Sequence, residues 1–87
     1  MSLKRSAKMR DSNEPEIIEA LLRAGYSVVR LDTPADLLVG KDGANWLLEV
    51  KTAKGKPTPD QVKFQAGWLG HYAIVRSIED ALREVGS

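Results

Sequence analysis

The sequence contains no cysteine and only one histidine, His71. The absence of cysteine excludes disulfides and thiolate metal ligands. No apolar run approaches the ~20 residues that a membrane-spanning helix needs. The first residues, MSLKRSAKMRDSN, are basic but lead into no apolar stretch, so they do not resemble a secretory signal. These absences lead us to expect a cytoplasmic protein with no membrane partner.

The composition indicates one small globular domain. The chain has 87 residues, of which 43% are hydrophobic and 29% are charged. A domain of this size buries only a modest fraction of its surface, which is compatible with a homodimer. The formal net charge is +1, but basic residues are concentrated in residues 4–10 and 51–63. These two clusters either contact phosphates or form a solvated tail and a solvated loop.

Hydrophobic periodicity and turn residues predict the order α-β-β-β-α-β-α, with residues 1–12 as a basic flexible arm and residues 13–87 as a single domain. Asn13 is the predicted N-cap of the first helix, and Gly25 is its predicted end. The later elements are bounded by proline, glycine and serine. The predicted strands and helices after Gly25 are strands 26–31, 35–40 and 44–52, helix 59–70, strand 71–76 and helix 78–85.

The dipeptide Asp42-Gly43 predicts a two-residue hairpin turn between the second and third strands. In such a hairpin, residues whose numbers sum to 85 face each other, so Asp36 is opposite Glu49. Opposed residues share a face of the sheet, with Cβ atoms roughly 4.5–5.5 Å apart. Lys51 lies on that same face, because side chains alternate along a strand. The turn therefore predicts two adjacent carboxylates with a lysine beside them.

Two adjacent carboxylates repel each other, and a divalent cation relieves that repulsion. Mg²⁺ binds one or two carboxylates together with water and phosphate oxygens. A neighbouring lysine can orient or deprotonate a water molecule, or stabilise charge that develops on phosphorus. This arrangement is typical of metal-dependent phosphodiester hydrolysis. The alternative is that Glu49 and Lys51 are a solvent-facing pair and Asp36 is an acid beside a turn.

The segment Ala35-Asp36, the hairpin and the segment Glu49-Val50-Lys51 resemble the signature of the PD-(D/E)XK nuclease superfamily. The family usually has proline directly before the aspartate, whereas here Pro34 stands one residue earlier. The resemblance implies that Asp36 and Glu49 bind Mg²⁺ or Mn²⁺, with the carbonyl of Val50 as a further ligand. It also implies that Lys51 positions or activates the attacking water.

Two flanking segments extend the resemblance from about Asn13 to Val85. The segment NEPEI, followed by ALLRAGYSVVR, resembles the first helix and strand of archaeal-type Holliday junction resolvases. The segments TPDQ and AIVRSIEDAL resemble the VRR-NUC branch of the superfamily. The family fold is a restriction-endonuclease-like α/β core, in which helices flank a mixed central sheet.

The resemblance assigns roles to residues outside the central motif. Glu14 is expected to orient the water or complete the metal shell, with Glu16 as the alternative. Gln61 is expected to support the site or contact the substrate, although a solvated polar residue in a first helical turn is equally ordinary. Apart from the resemblance, Lys54 and Lys56 lie in the loop after the motif and are expected to bind DNA phosphates, although mobile lysines in a loop are equally ordinary.

The sequence therefore leads us to expect a Mg²⁺- or Mn²⁺-dependent DNA endonuclease of the VRR-NUC type. We expect it to act as a homodimer on branched DNA, Holliday junctions above all, as enzymes of DNA recombination and repair do. Three alternatives stay open: a flap, nick or non-specific endonuclease, a nucleic-acid-binding module without catalysis, and a structural or interaction protein, which would show no salt-sensitive DNA binding. Metal-dependent cleavage separates the nucleases from the binding module.

Overall fold

The computed structural model describes residues 10–86. Most of the predicted basic arm, residues 1–9, lies outside the described residues, as does Ser87. The helices and strands follow each other in the predicted order α-β-β-β-α-β-α. Their bounds are α1 Glu14–Arg23, β1 Ser27–Arg30, β2 Leu37–Lys41, β3 Ala44–Val50, α2 Pro59–Gly67, β4 His71–Val75 and α3 Ile78–Gly86.

The four strands form one mixed sheet in the order β1-β2-β3-β4. The first three strands are antiparallel neighbours, and β4 runs parallel to β3. A parallel neighbour requires a crossover, and α2 lies within that crossover. The predicted α/β class, with a mixed sheet flanked by helices, is therefore confirmed.

The β2–β3 hairpin has the predicted turn and register. Asp42 and Gly43 both have positive φ, +53° and +84°, as a type I′ turn requires. The paired residues run from Lys41 with Ala44 to Leu37 with Leu48, and each pair sums to 85. Because β2 begins at Leu37, the next position in this register, that of Asp36, lies just outside the strand.

The first helix ends as predicted at Gly25, in a Schellman motif. The Gly25 N–H donates to the Leu22 carbonyl, and the Tyr26 N–H donates to the Leu21 carbonyl. Gly25 has φ +93°, a conformation that costs glycine little. This ending reverses the chain so that β1 begins two residues later, at Ser27.

The hydrophobic core lies between one face of the sheet and the helices α1 and α3. Its members are buried aliphatic side chains and one tryptophan: Ile17, Leu21, Leu37, Val39, Trp46, Leu48, Val50, Ala73, Val75, Ala81 and Val85. On the other face, the ring of Phe64 in α2 contacts the ring of Tyr72 in β4, with centroids 5.2 Å apart. None of the helices within residues 10–86 combines the length and the apolar character needed to cross a membrane.

Candidate active site

Asp36 is fixed to β3 by both its backbone and its side chain. Its N–H donates to the Leu48 carbonyl at 3.1 Å, and its Oδ2 accepts from the Val50 N–H at 2.7 Å. Only 4% of the residue is exposed. The carboxylate is therefore held against the strand that carries Glu49, although the regular register ends at the pair Leu37–Leu48 and does not itself include Asp36.

Glu49 is equally buried, at 3% exposure, and has a cation and an amide beside one oxygen. Its Oε2 lies 3.6 Å from Lys51 Nζ and accepts from Gln61 Nε2 at 2.9 Å. The Lys51 N–H donates to the Val75 carbonyl in β4, which fixes the lysine backbone just beyond β3. The structure thus brings Glu49 and Lys51 together, as predicted.

Gln61 both caps α2 and fixes Glu49. Its N–H donates to Thr58 Oγ1, and its Oε1 accepts from the Thr58 N–H, which together form a capping box. The side-chain amide nitrogen remains for Glu49. The orientation of one carboxylate of the candidate site is therefore coupled to the start of a helix.

The first helix buries Glu14, whereas Glu16 is exposed. Glu14 Oε2 accepts from Arg10 Nη1 at 2.9 Å and lies 3.1 Å from Arg30 Nε. Burial raises the pKa of Glu14 above its usual range, and the charge of Asp36 raises it further against the two arginines. Of the two candidates left open by the sequence, Glu14 is the one close to Asp36.

Arg10 is a residue that the sequence analysis missed, since it fell within the predicted arm. Besides its contact with Glu14, its guanidinium donates to the carbonyls of Asp36 at 3.3 Å and Leu31 at 3.0 Å. It therefore holds both ends of the loop that delivers Asp36. No periodic pattern singles out Arg10, because its partners are brought together only by the fold.

Asn13, the predicted N-cap, occupies that position but uses its side chain elsewhere. Its amide nitrogen donates to the carbonyls of Lys51 at 3.1 Å and Arg76 at 3.2 Å. These carbonyls directly follow β3 and β4. Asn13 thus ties the start of α1, and with it Glu14, to the strand end that carries Lys51.

The loop that carries Lys54 and Lys56 is organised by Arg76, another residue without a sequence signal. The Arg76 guanidinium donates to the carbonyls of Thr52 at 2.8 Å and Gly55 at 2.5 Å. Both lysines are exposed. The structure therefore presents the two predicted phosphate contacts on an ordered loop directly after the site.

A solvent-open groove of about 340 Å³ leads to Glu49. Its lining includes Gln61 and Phe64, and the acids Asp32 and Asp60 also border it. Three carboxylates around one groove repel a phosphate unless a cation compensates their charge. The lining of the groove is therefore acidic, and two of its carboxylates already have a cation nearby, since Lys51 Nζ lies 3.6 Å from Glu49 and Arg10 Nη2 lies 3.9 Å from Asp32.

A divalent cation at this site would need oxygen ligands from the protein. Within residues 10–86, no group of three or more histidine, cysteine, aspartate or glutamate side chains is placed to hold a metal ion. The Asp36 and Glu49 carboxylates with the Val50 carbonyl match what Mg²⁺ takes from proteins, the other ligands being water and phosphate. Glu14 Oε1 is buried and has no hydrogen-bond partner in the described part of the chain. A buried acceptor of this kind suits a metal-bound water. The site therefore fits Mg²⁺ or Mn²⁺, which keep water ligands, better than a metal whose ligands all come from the protein.

Comparison of the chain with protein-family models, with curated proteins and with solved structures finds no match.

Proposed function

We propose that this protein is a Mg²⁺- or Mn²⁺-dependent endodeoxyribonuclease of the VRR-NUC type that hydrolyses phosphodiester bonds in branched DNA. The observation that carries the proposal is the pair of buried carboxylates, Asp36 and Glu49, with Lys51 Nζ 3.6 Å from Glu49. Buried carboxylates are costly for stability unless they are paired, and such groups concentrate at functional sites. The order of elements is also the one that the family resemblance implies.

Each residue of the site has a role in the proposed reaction. A bound Mg²⁺ or Mn²⁺ would polarise the phosphate and lower the pKa of water. Asp36, Glu49 and the Val50 carbonyl hold the cation. Lys51 orients the attacking water or stabilises the charge that develops on the phosphate oxygens.

The surrounding residues support that geometry. Gln61 fixes Glu49 through its amide. Glu14 Oε1, buried next to Asp36, accepts a hydrogen bond from the water and so orients it. Lys54 and Lys56 contact the DNA backbone beside the cleaved bond.

The preferred substrate in this proposal is a four-way junction cut by a homodimer. A two-fold dimer places two sites for two symmetric cuts in a junction that has the same symmetry. The chain is also short enough that a second copy would add substantially to the surface that binds DNA.

The test is cleavage of a labelled four-way junction, a flap and a plain duplex in Mg²⁺, Mn²⁺ or EDTA. The proposal predicts symmetric, metal-dependent cuts in the junction. Lys51→Ala should lower the cleavage rate about a hundredfold while DNA binding in Ca²⁺ is kept. Lys41→Ala, an exposed lysine at the hairpin end of β2, is the matched control and should cleave normally.

Other outcomes select among the alternatives. Cleavage of all three substrates retains the nuclease and removes the junction preference. Salt-sensitive DNA binding without cleavage in either metal would identify a binding module. If the measured mass of the complex with junction DNA corresponds to one protomer per junction, the proposed homodimer is wrong.

A further inference from the structure

Tyr72 lies beside the site on a strand that supplies none of the predicted site residues. In the parallel β3–β4 ladder, Tyr72 is paired with Leu47 and Ile74 is paired with Glu49. Paired residues share a face and side chains alternate, so Tyr72 projects on the same side of the sheet as Glu49. The ring of Phe64 covers the Tyr72 ring from α2.

The hydroxyl of Tyr72 is buried and, within residues 10–86, has no hydrogen-bond partner. A buried phenol normally finds a partner, because an unmade hydrogen bond leaves its desolvation uncompensated. If this side chain had only a packing role, phenylalanine would fill the same space without a hydroxyl. A hydroxyl without a partner in the described residues, on the sheet face that carries Glu49, therefore indicates a partner that is in place only in another state of the site.

The charges of both carboxylates act on the Tyr72 hydroxyl. Burial together with the charges of Glu49 and Asp36 raises the pKa of Tyr72 to about 12. The phenol therefore keeps its proton throughout the neutral range.

We propose that Tyr72 is a positioning residue whose hydroxyl donates a hydrogen bond to the Glu49 carboxylate once that carboxylate turns to bind a divalent cation. The inference rests on the proposed function, because it assigns the orphan hydroxyl to the cation-bound state of the same site. Carboxylates that bind metals are commonly held by an outer hydrogen bond, and loss of that bond typically weakens metal affinity or activity by about 10- to 100-fold.

Tyr26 supplies a matched control within the chain. Its hydroxyl donates to the Val85 carbonyl at 3.2 Å, away from the site. Tyr26→Phe therefore removes a hydrogen bond that is already made, so it should lower the melting temperature and leave metal binding unchanged. Tyr72→Phe removes a hydroxyl without a partner, so it should melt at or above the temperature of the native protein.

The experiment measures Mn²⁺ affinity of the DNA-free protein by titration calorimetry, for the native chain, Tyr72→Phe and Tyr26→Phe. The expected result is a 10- to 100-fold weaker affinity for Tyr72→Phe alone. In protein labelled with ¹³C at the tyrosine Cζ, Mg²⁺ should shift the Tyr72 resonance and leave that of Tyr26 in place. The half-saturating Mg²⁺ concentration for junction cleavage should rise by the same factor in Tyr72→Phe, with the maximal rate recovered at high Mg²⁺.

The outcomes separate this inference from the proposed function. Equal Mn²⁺ affinity and an unmoved Tyr72 resonance overturn the role of Tyr72, whether or not the native protein cleaves DNA. Weakened Mn²⁺ affinity in Tyr72→Phe without any DNA cleavage by the native protein supports the role of Tyr72 and contradicts the nuclease. Absence of saturable Mn²⁺ binding by the native protein overturns both.

Discussion

The Val50 N–H donates a hydrogen bond of 2.7 Å to Oδ2 of Asp36. This bond joins the residue before β2 to the last residue of β3. Bonds from a backbone N–H to a carboxylate are among the stronger hydrogen bonds in proteins. Asp36 is therefore held in place by β3 itself, so the proposed site is assembled by the hairpin and does not depend on a mobile loop.

Loss of Arg10 should loosen the segment that carries Asp36. Arg10→Ala removes the bonds to the Leu31 and Asp36 carbonyls and one of the two arginines on buried Glu14. We expect the free energy of unfolding to fall by about 2 kcal/mol, as for lost hydrogen bonds to a buried charged group. Urea denaturation followed by circular dichroism measures this change.

The control for that variant is Arg23→Ala. Arg23 pairs with Glu19 one turn away on the exposed surface of α1, and such a pair contributes about 0.5 kcal/mol or less. Equal destabilisation by the two substitutions would contradict the role given to Arg10. Faster amide exchange at Leu31 and Asp36 in Arg10→Ala would support it.

Stability should depend on the protonation of Glu14. Burial raises the pKa of Glu14 in the folded protein, so the folded state binds this proton more tightly than the unfolded chain. The resulting stabilisation is fully present below the unfolded pKa and is lost as the pH rises through the folded pKa. From pH 4 to pH 8, the unfolding free energy of the native chain relative to Glu14→Gln should therefore decrease.

The pH series is measured by denaturant unfolding, with Glu16→Gln as the control for removal of one negative charge from the first turn of α1. An unfolding free energy that rises with pH relative to Glu14→Gln would contradict the account. That result would mean that Arg10 and Arg30 outweigh the burial of Glu14.

Gln61→Glu should separate the two roles of Gln61. A glutamate at this position preserves the capping box with Thr58, but it replaces the amide donor to Glu49 with a carboxylate. Repulsion should disfavour the ionised form of Glu49, so we expect weaker Mg²⁺ binding and a pH profile of cleavage displaced to higher pH. The melting temperature should fall at neutral pH, because the two carboxylates repel each other in the folded state.

Gln65→Glu adds the same charge at an exposed position of α2. It should leave both the pH profile and the Mg²⁺ dependence unchanged. If Gln61→Glu behaves like Gln65→Glu, the contact between Gln61 and Glu49 does not matter for the reaction.

Lys54 and Lys56 should contribute to DNA affinity through phosphates alone. Each substitution by alanine should reduce the slope of log affinity against log salt concentration by about one. Binding in Ca²⁺ at several salt concentrations, measured by fluorescence anisotropy, gives these slopes. Lys41→Ala is the control. The Lys41 Nζ contacts the Ala24 carbonyl and the Tyr26 ring and lies outside the loop that carries Lys54 and Lys56.

Local signals predicted the parts of the site that lie on the hairpin. The Asp42-Gly43 turn determines the register, and the register places Asp36 beside the strand of Glu49 and Lys51. Gln61 was assigned through the family resemblance, and its capping box with Thr58 was not predicted. The hairpin features follow from neighbours in sequence, which is why they were accessible without a structure.

The remaining contacts depend on the packing of distant segments. Arg10 donates to the carbonyls of Leu31 and Asp36, which lie 21 and 26 residues away in the sequence. The residues around Arg10 show no hydrophobic periodicity that would assign it to the domain. The choice between Glu14 and Glu16 required the orientation of α1 on the sheet. The Tyr72 hydroxyl, which has no partner among residues 10–86, also depends on such packing, since the Phe64 ring of α2 contacts the Tyr72 ring of β4.

The most direct test of the proposed site compares Glu49→Gln with Glu16→Gln in Mg²⁺-dependent cleavage of a four-way junction. Both substitutions remove one carboxylate charge, but Glu49 is 3% exposed beside Asp36 and Glu16 lies on the exposed side of α1. The account predicts that Glu49→Gln folds normally and cleaves about a thousandfold more slowly, while Glu16→Gln cleaves at the native rate. Cleavage by folded Glu49→Gln at the native rate would contradict the assignment of the site.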